Sequence, residues 1–445
     1  MQETRIVSTL NLYSTEGDVV KNFGYLVVPH LRMVPVAGLL SLALALMWSP
    51  AALAQVRASV VLQDGDVPQG VSAPVSTISP AFINGAGQVG FAGSLTGGER
   101  FIWLGDGIRW LNSNEKGVVL GGAEAAIGIS DDGGFIYSPT VDGGDAVYTH
   151  NGVLLVEGDP APKFPAGVTV TFNSRPAMTN DGRAFWVAGV NESGGTTTQK
   201  RVMYTASDAS PTTIEIALAG GDIIDGLVIE NVGIEFNYQT SGDGNHMIQT
   251  LDAATGSSSN DSIMVVDGRI VARESFPVSG TFGEAWQNFD DLSINNAGNY
   301  LFSGDSDSVA AKDAFVAYNS VIAMRESDYV DGIDLVPGSA VRAVSLNNLN
   351  QAMVIWAVGS TEMVFFACDA ADMLRAARVV LRTGDTVDLN GDGLPDATIT
   401  DFNASATTSH RQLTDDGRVY LEVDLDYGDG TDLQAIIQVN VSCGS

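Results

Sequence analysis

One small unit punctuates the chain, first met at Ile83-Asn84-Gly85-Ala86-Gly87-Gln88-Val89-Gly90-Phe91. A polar turn closes on Gly or Asn, and an alternating apolar run follows at once. The other copies open at Ser130, Thr179, Ser241, Asn295, Asn347 and Thr414, and their closing residues are Gly133, Gly182, Gly244, Gly298, Asn350 and Gly417. Gly and Asn are the residues that best tolerate positive φ, as a tight hairpin turn requires. Successive copies lie 46 to 67 residues apart, a repeat whose loops vary in length. Seven unrelated hairpins are the alternative.

The residues that follow each turn keep a register. Four positions beyond the closing residue stand Phe91, Tyr137, Trp186, Ile248, Phe302, Val354 and Leu421, all apolar. Two positions beyond it stand Val89, Phe135, Ala184, His246, Tyr300, Ala352 and Val419, and only His246 is polar. Alternate side chains of a strand share a face, so each run is expected to be a strand buried on at least one side. Around the third turn the pattern predicts strands over 168–172, 183–189, 201–206 and 214–218. Second hairpins are expected at His150-Asn151-Gly152, Asp267-Gly268 and Asn319-Ser320.

Four antiparallel strands per unit and seven units predict an all-β fold, a seven-bladed β-propeller. A parallel solenoid is the competing architecture, but its repeats are usually shorter and need capped ends. The seventh repeat offers only its first three strands, the last over 435–439. An unpartnered strand, Ala58-Ser59-Val60-Val61-Leu62, follows the leader, and its sequel Gln63-Asp64-Gly65-Asp66 matches the outer-strand ends 154–159 and 379–385. The N-terminal strand is therefore expected to complete the last blade and close the ring, leaving no exposed sheet edge there. Helical periodicity is confined to the leader and to 369–377.

Residues 1–54 read as a leader and 55–445 as the propeller. The apolar run 34–46, a break at Ser49-Pro50 and the small residues Ala52-Leu53-Ala54 fit a secretory signal cleaved before Gln55. An uncleaved anchor is the alternative. The polar stretch 1–32 fits a gene-start error, with the true start at Met33. The chain is thus expected in the periplasm, outside the cell or on its surface, with no stable membrane insertion after cleavage. Cys368 and Cys443 could then pair, provided their Cα atoms come within roughly 7 Å.

The motif Asn84-x-x-Gly87-x-x-Gly90-Phe91, with Gly-Asp after the outer strand, resembles the exported bacterial tandem-repeat proteins named for an NxxGxxAF motif. The resemblance covers nearly all of the chain after the leader. This chain departs from the pattern in the fourth and sixth copies, and it shows no C-terminal anchor segment. The resemblance implies an exported repeat protein and carries no catalytic residues with it.

Candidate chemistry is sparse. Asp388-Leu389-Asn390-Gly391-Asp392-Gly393-Leu394-Pro395-Asp396 places oxygen ligands as a calcium loop does, from Asp388, Asn390, Asp392, Asp396 and the Leu394 carbonyl. Ile399 stands where a bidentate Glu is expected, and Asp401 is the nearest substitute. The alternative is a plain Asp/Asn/Gly turn. Acidic residues recur after the outer strands, at Asp64, Asp66, Glu157, Asp159, Asp222, Glu274, Glu326, Asp328 and Asp385. They could ring the channel mouth, or serve as ordinary turn residues. His30, His150, His246 and His410 are isolated, which argues against a histidine metal centre. The Trp residues fit core packing, with Trp110 the most exposed candidate for a sugar platform.

With 53 acidic and 22 basic residues and a net charge of −31, nucleic acid is a poor fit. The expectation is a monomeric, non-catalytic binding module for a protein or glycan, with one structural calcium. A carbohydrate-active hydrolase or lyase using carboxylates at the channel mouth is the alternative.

Overall fold

A computed structural model describes residues 56–111, 118–120, 127–141, 144–232, 237–403 and 412–443. The expectations for the leader, its cleavage site, His30 and His410 lie outside the described residues. The fold is all-β, and six of its sheets stand as propeller blades. The third is representative: Thr169–Met178, Ala184–Asn191, Lys200–Ala206 and Ile214–Ala219 pair antiparallel in sequence order. These strands overlay the four expected from the pattern. The fourth, fifth and sixth sheets repeat this order over 237–273, 292–325 and 340–382. The first sheet spans 75–111. The second is built from shorter strands between 118 and 156.

Apart from two short hairpins at 223–228 and 329–334, the remaining strands form a further sheet that closes on itself. Ala397–Phe402, Arg418–Asp426 and Asp432–Asn440 pair antiparallel. Val56–Gln63 adds to Asp432–Asn440, with Ala58 opposite Val439 and Ser59 opposite Gln438. Thr386–Asp388 pairs with both Ala397–Phe402 and the start of Val56–Gln63.

The second strand of each blade is buried on both faces, which the sequence pattern understates. All eight residues of Ala184–Asn191 are buried. Neighbouring side chains then serve different layers: Trp186 packs toward the second sheet and Val187 toward the fourth, as alternation along a strand dictates. One apolar layer lies between each pair of successive sheets. A further layer joins Leu62, Tyr420 and Ile436 of the closed sheet to Phe91, Phe101 and Trp103 of the first.

The His246 irregularity has a physical cause. In the other copies the first turn residue bonds to the carbonyl four positions on, as Asn295 N–H does with Asn299. In the fourth copy Ser241 N–H reaches His246, five positions on, because Asn245 is an extra residue. A one-residue slip moves every later side chain to the other face. Phe302 faces the fourth sheet, whereas Ile248 faces the fifth. Gln249 takes the position equivalent to Phe302, is buried, and reaches Met203 Sδ of the third sheet at 3.6 Å.

Outer strands would be exposed edges, and the connections entering the third, fourth and sixth blades cover the outer strands of those blades. Asp225 caps Ile270 N–H at 2.8 Å and Asp331 caps Val379 N–H at 2.8 Å. Lys163 pairs with Glu215 at 2.6 Å. Residues 370–376 form a single 3-10 turn and a four-residue helix. They precede the outer strand of the sixth sheet. Cys368 and Cys443 are disulfide-bonded, with Cα atoms 5.6 Å apart.

Candidate binding basin at the ring of turns

The seven recurring turns share one backbone form. Every closing residue has positive φ, from 58° at Asn350 to 88° at Gly133. Each donates its N–H to the first turn residue's carbonyl at 3.0 to 3.2 Å. This is the type I turn with a left-handed closing residue that three-residue hairpin loops prefer.

Two side-chain chemistries produce it. At Asn84, Asn295 and Asn347 the Oδ1 accepts amide N–H groups inside the turn, and the Nδ2 donates to the next turn's first carbonyl when that lies within reach. Asn84 reaches Ser130 O at 2.9 Å, Asn295 reaches Asn347 O at 3.0 Å, and Asn347 reaches Thr414 O at 3.0 Å. At Ser130, Thr179, Ser241 and Thr414 the hydroxyl instead donates to an Asp two residues on: Asp132, Asp181, Asp243 and Asp416. These bonds hold the Asp132 carboxyl below its usual range through the Ser130 hydroxyl and the Gly134 amide. Asp416 is lowered by Arg418 and then by Thr414.

The second turn position binds neighbouring turns together. Asp131 accepts from Ala86 N–H, Asn296 from Asp243 N–H, Asn348 from Asn296 N–H and Asp415 from Asn348 N–H. Asn180 donates its own N–H to Gly242 O, accepts from Asp131 N–H with its carbonyl, and accepts from Gly85 N–H with its side chain. The turns thereby form a hydrogen-bonded series from Asn84 to Thr414, and the Arg418 side chain abuts Gly87 of the first turn. Inner strands are stitched the same way: Gln239 accepts from Ile294 N–H, and Ser293 from Leu346 N–H.

Within this series lies a cavity of about 230 Å³, lined by residues of the first, fourth, fifth, sixth and seventh turns, including Asn84, Asn348, Asp415 and Arg418. Gly85 and Gly242 occupy the second position where other turns carry Asp or Asn. The Arg418 Nε is 3.0 Å from both Asp416 oxygens, so that pair is neutral overall. Asp415 accepts from the Asn348 backbone and side chain and gives the cavity its negative charge. The sequence pattern points to these turns as architecture and misses them as a site. The signal was present: the second position is Asp or Asn in five copies.

The 388–396 loop folds its oxygens onto its own amides. Asp388 is buried and accepts from Gly391 N–H at 2.6 Å and Gly393 N–H at 3.0 Å. Asn390 Oδ1 accepts from Asp392 N–H, Asp392 from Leu394 N–H, and Asp396 from Leu389 and Asn390 N–H. Gly391 O accepts from Arg57 of the N-terminal strand at 3.3 Å. Asp401 lies instead against the Glu362 carboxyl, which burial and then Asp401 push up. Among the described residues no three His, Cys, Asp or Glu side chains gather as metal ligands would.

Six of the nine acidic residues after the outer strands cap local amides. Asp66, Asp159, Asp222, Asp328 and Asp385 each accept the N–H three residues back, at 2.8 to 3.0 Å. Glu157 caps Asp145 N–H. His150 Nδ1 accepts from Phe135 N–H at 3.2 Å, and His246 pairs with Asp267 at 2.7 Å. Both are structural contacts. Trp110 is buried, its ring 4.8 Å from Tyr137, which overturns the expectation of an exposed sugar platform there. Trp103, Trp186, Trp286 and Trp356 are buried as well. No described helix is long and apolar enough to cross a membrane.

Neither a protein-family model nor a curated protein matches the chain. Solved structures do. Puromycin hydrolase is 11% identical with a TM-score of 0.45, over 83% of this chain and 53% of that one. The Dos1 propeller is 10% identical with a TM-score of 0.40, over 86% and 83%. Prolyl oligopeptidase B from Galerina marginata is 12% identical with a TM-score of 0.38, over 82% and 52%. The chain spans about half the length of the two hydrolases, and at this similarity the matches carry no argument about activity.

Proposed function

We propose that this protein is an exported, non-catalytic binding module: a seven-bladed propeller closed by its N-terminal strand, with the basin at the ring of turns as its ligand site. The observation that carries it is the convergence of the turns on one polar cavity. At about 230 Å³ this lies below the roughly 300–1,000 Å³ of drug-sized pockets. It suits one small polar unit, such as the terminal residue of a glycan, rather than an extended chain. The donors and acceptors around it match sugar hydroxyls.

Closure draws support from three features. Residues 56–63 pair with 432–440, and an apolar layer joins that sheet to the first. The turn after Gln63 also has the form of those after the fourth strands, with Gly65 at φ 85° and Asp66 capping Gln63 N–H. The kinship with NxxGxxAF proteins and the signal peptide over 1–54 belong to the same reading.

Calcium at the 388–396 loop is a second part of the proposal. Asp388, Asn390, Asp392, Asp396 and the Leu394 carbonyl are an all-oxygen donor set of the kind calcium takes. The ion would fix this hairpin against Arg57. Terbium luminescence with wild type and Asp392→Ala tests it; equal signals from both would remove calcium from the loop.

The test of the module is a glycan array with residues 55–445, repeated with Asp415→Asn and with chelator. The expected result is a discrete set of hits lost in Asp415→Asn. Hits that survive that substitution would move the site elsewhere. An array without hits would sink the glycan reading. Hydrolysis or cleavage of any array glycan would favour the hydrolase or lyase alternative.

A further inference from the structure

The seam where the N-terminal strand meets the last sheet contains a buried acid group without a counter-charge among the described residues. Glu422, on Arg418–Asp426, is only 6% exposed. Its Oε1 accepts from Gln434 Nε2, and its Oε2 is buried with no hydrogen-bond partner. The Asp64 side chain, in the turn that leaves the N-terminal strand, likewise has a buried Oδ1 without a partner.

Gln434 is the hub of this seam. Its carbonyl accepts from Asp64 N–H at 2.9 Å, and its Oε1 accepts from Ile78 N–H of the first sheet at 2.9 Å. One residue thus ties the N-terminal strand's turn, through its backbone carbonyl, to the first sheet and Glu422, through its side chain. Among the described residues the charged groups facing Glu422 are all acidic: Asp424 from its own strand and Asp64 from the N-terminal turn. Strand Asp432–Asn440 contributes neutral Gln434. The segment after Ala397–Phe402 contributes neutral Asn403, whose N–H bonds Glu422 O at 3.1 Å and whose Nδ2 holds Asp424.

We propose that this seam is a proton-operated latch: Glu422 carries a proton when the N-terminal strand is docked, and loss of that proton to solvent loosens the strand. An ionised Glu422 would stand buried beside two carboxylates, a costly arrangement when no cation compensates. Burial, then Asp424 and Asp64, push the Glu422 carboxyl up to about 8, with the Gln434 bond opposing. The sign follows from linkage. The group binds its proton more tightly folded than unfolded, so its support is complete below the ordinary carboxyl range. That support fades as the pH climbs through about 8. The ionised, buried Glu422 would then repel Asp64 and favour lifting the N-terminal turn away from the seam.

The latch rests on the closure reading, and one experiment separates the two. Amide hydrogen exchange of the full chain is followed at pH 6 and pH 9, corrected for intrinsic rates, with strands 184–206 of the third sheet as internal reference. The expected result is that protection of 56–63 falls about a hundredfold more than that of the reference, the change that differential proton binding produces over the two pH units between pH 6 and about 8. Glu422→Gln, which mimics the protonated acid, should abolish the pH dependence. Asp64→Asn, which removes a charge that raises the Glu422 carboxyl, should move it to lower pH, and supplies the test should Glu422→Gln fail to fold. Protection of 56–63 that tracks the reference in wild type, or a pH dependence unchanged in both variants, would overturn the latch. Exchange of 56–63 without protection at either pH would overturn closure itself.

Discussion

The Asn turns and the hydroxyl turns reach the same backbone by different routes. Asn84, Asn295 and Asn347 are each at least 95% buried, and one amide both folds its turn and reaches the next. Ser130, Thr179, Ser241 and Thr414 use their hydroxyls on a local Asp. The link to the neighbouring turn then falls to the second position or to the backbone, as with Asn180 N–H and Gly242 O. A neutral amide can bridge blades without adding charge to a crowded axis. A hydroxyl–carboxylate pair folds its turn but brings a negative charge. The three Asn turns therefore wire the ring together, and the four hydroxyl turns give it much of its acidity.

The most disruptive way to probe the comparison is to cut the covalent tie between an Asn turn and a hydroxyl turn. Asn350 O accepts from Ala370 N–H just after Cys368, and Gln351 reaches Cys443 Sγ at 3.2 Å. The Cys368–Cys443 bond spans 75 residues and should contribute about 4 kcal/mol by loop entropy. Cys368→Ser with Cys443→Ser should lower the denaturant midpoint accordingly. An unchanged midpoint would mean that the hydrogen-bonded turns alone hold the seam.

Asn347→Ala comes next. It removes the acceptor for Leu349 and Gln351 N–H and the donor to Thr414 O, for an expected loss of about 2–3 kcal/mol by denaturant unfolding. Converting that turn to the other chemistry with Asn347→Ser and Leu349→Asp should restore part of the loss. The cross-turn bond stays absent. Full restoration would show that the cross-turn bond contributes nothing.

Acid should separate the two classes. Asp132 and Asp416 are held below the usual carboxyl range, so their turns gain support that is present above the unfolded pKa and lost as pH falls through the folded one. Hydrogen exchange below about pH 4 should therefore rise at 130–134 and 414–418 before it rises at 295–299 and 347–351, where no group titrates. Simultaneous loss would refute the distinction. The smallest effect is expected outside the ring. Asp222→Ala and Asp328→Ala remove one local cap each and should cost about 1 kcal/mol.

Much of this was legible from the repeat. Positive φ at 87, 133, 182, 244, 298, 350 and 417 follows from Gly and Asn at one place in the unit. The four strands of the third blade follow from alternation. The fourth copy was misread because Asn245 is a polar residue in a polar turn, and a one-residue insertion there leaves no mark except His246. Trp110 looked exposed because it follows a Gly-Asp-Gly turn, yet its ring is held by Tyr137 across a sheet boundary. The basin was invisible for a related reason. Which turn touches which depends on the ring, and Asn180 bonding Gly85 across 95 residues has no local signature. Likewise, nothing near Glu422 in sequence announces Asp64, which neighbours it across the pairing of 56–63 with 432–440.

Closure is the claim on which the ring, the basin and the latch all depend, and a cross-strand disulfide tests it most directly. Ser59 and Gln438 are register partners near the surface, and directly opposed antiparallel residues lie at about 4.5–5.5 Å, within disulfide reach. Ser59→Cys with Gln438→Cys, oxidised and mapped by peptide mass spectrometry, should give an intramolecular 59–438 bond with the 368–443 bond intact. Free thiols at both positions, or bonds formed only between molecules, would contradict a ring closed by its own N-terminal strand.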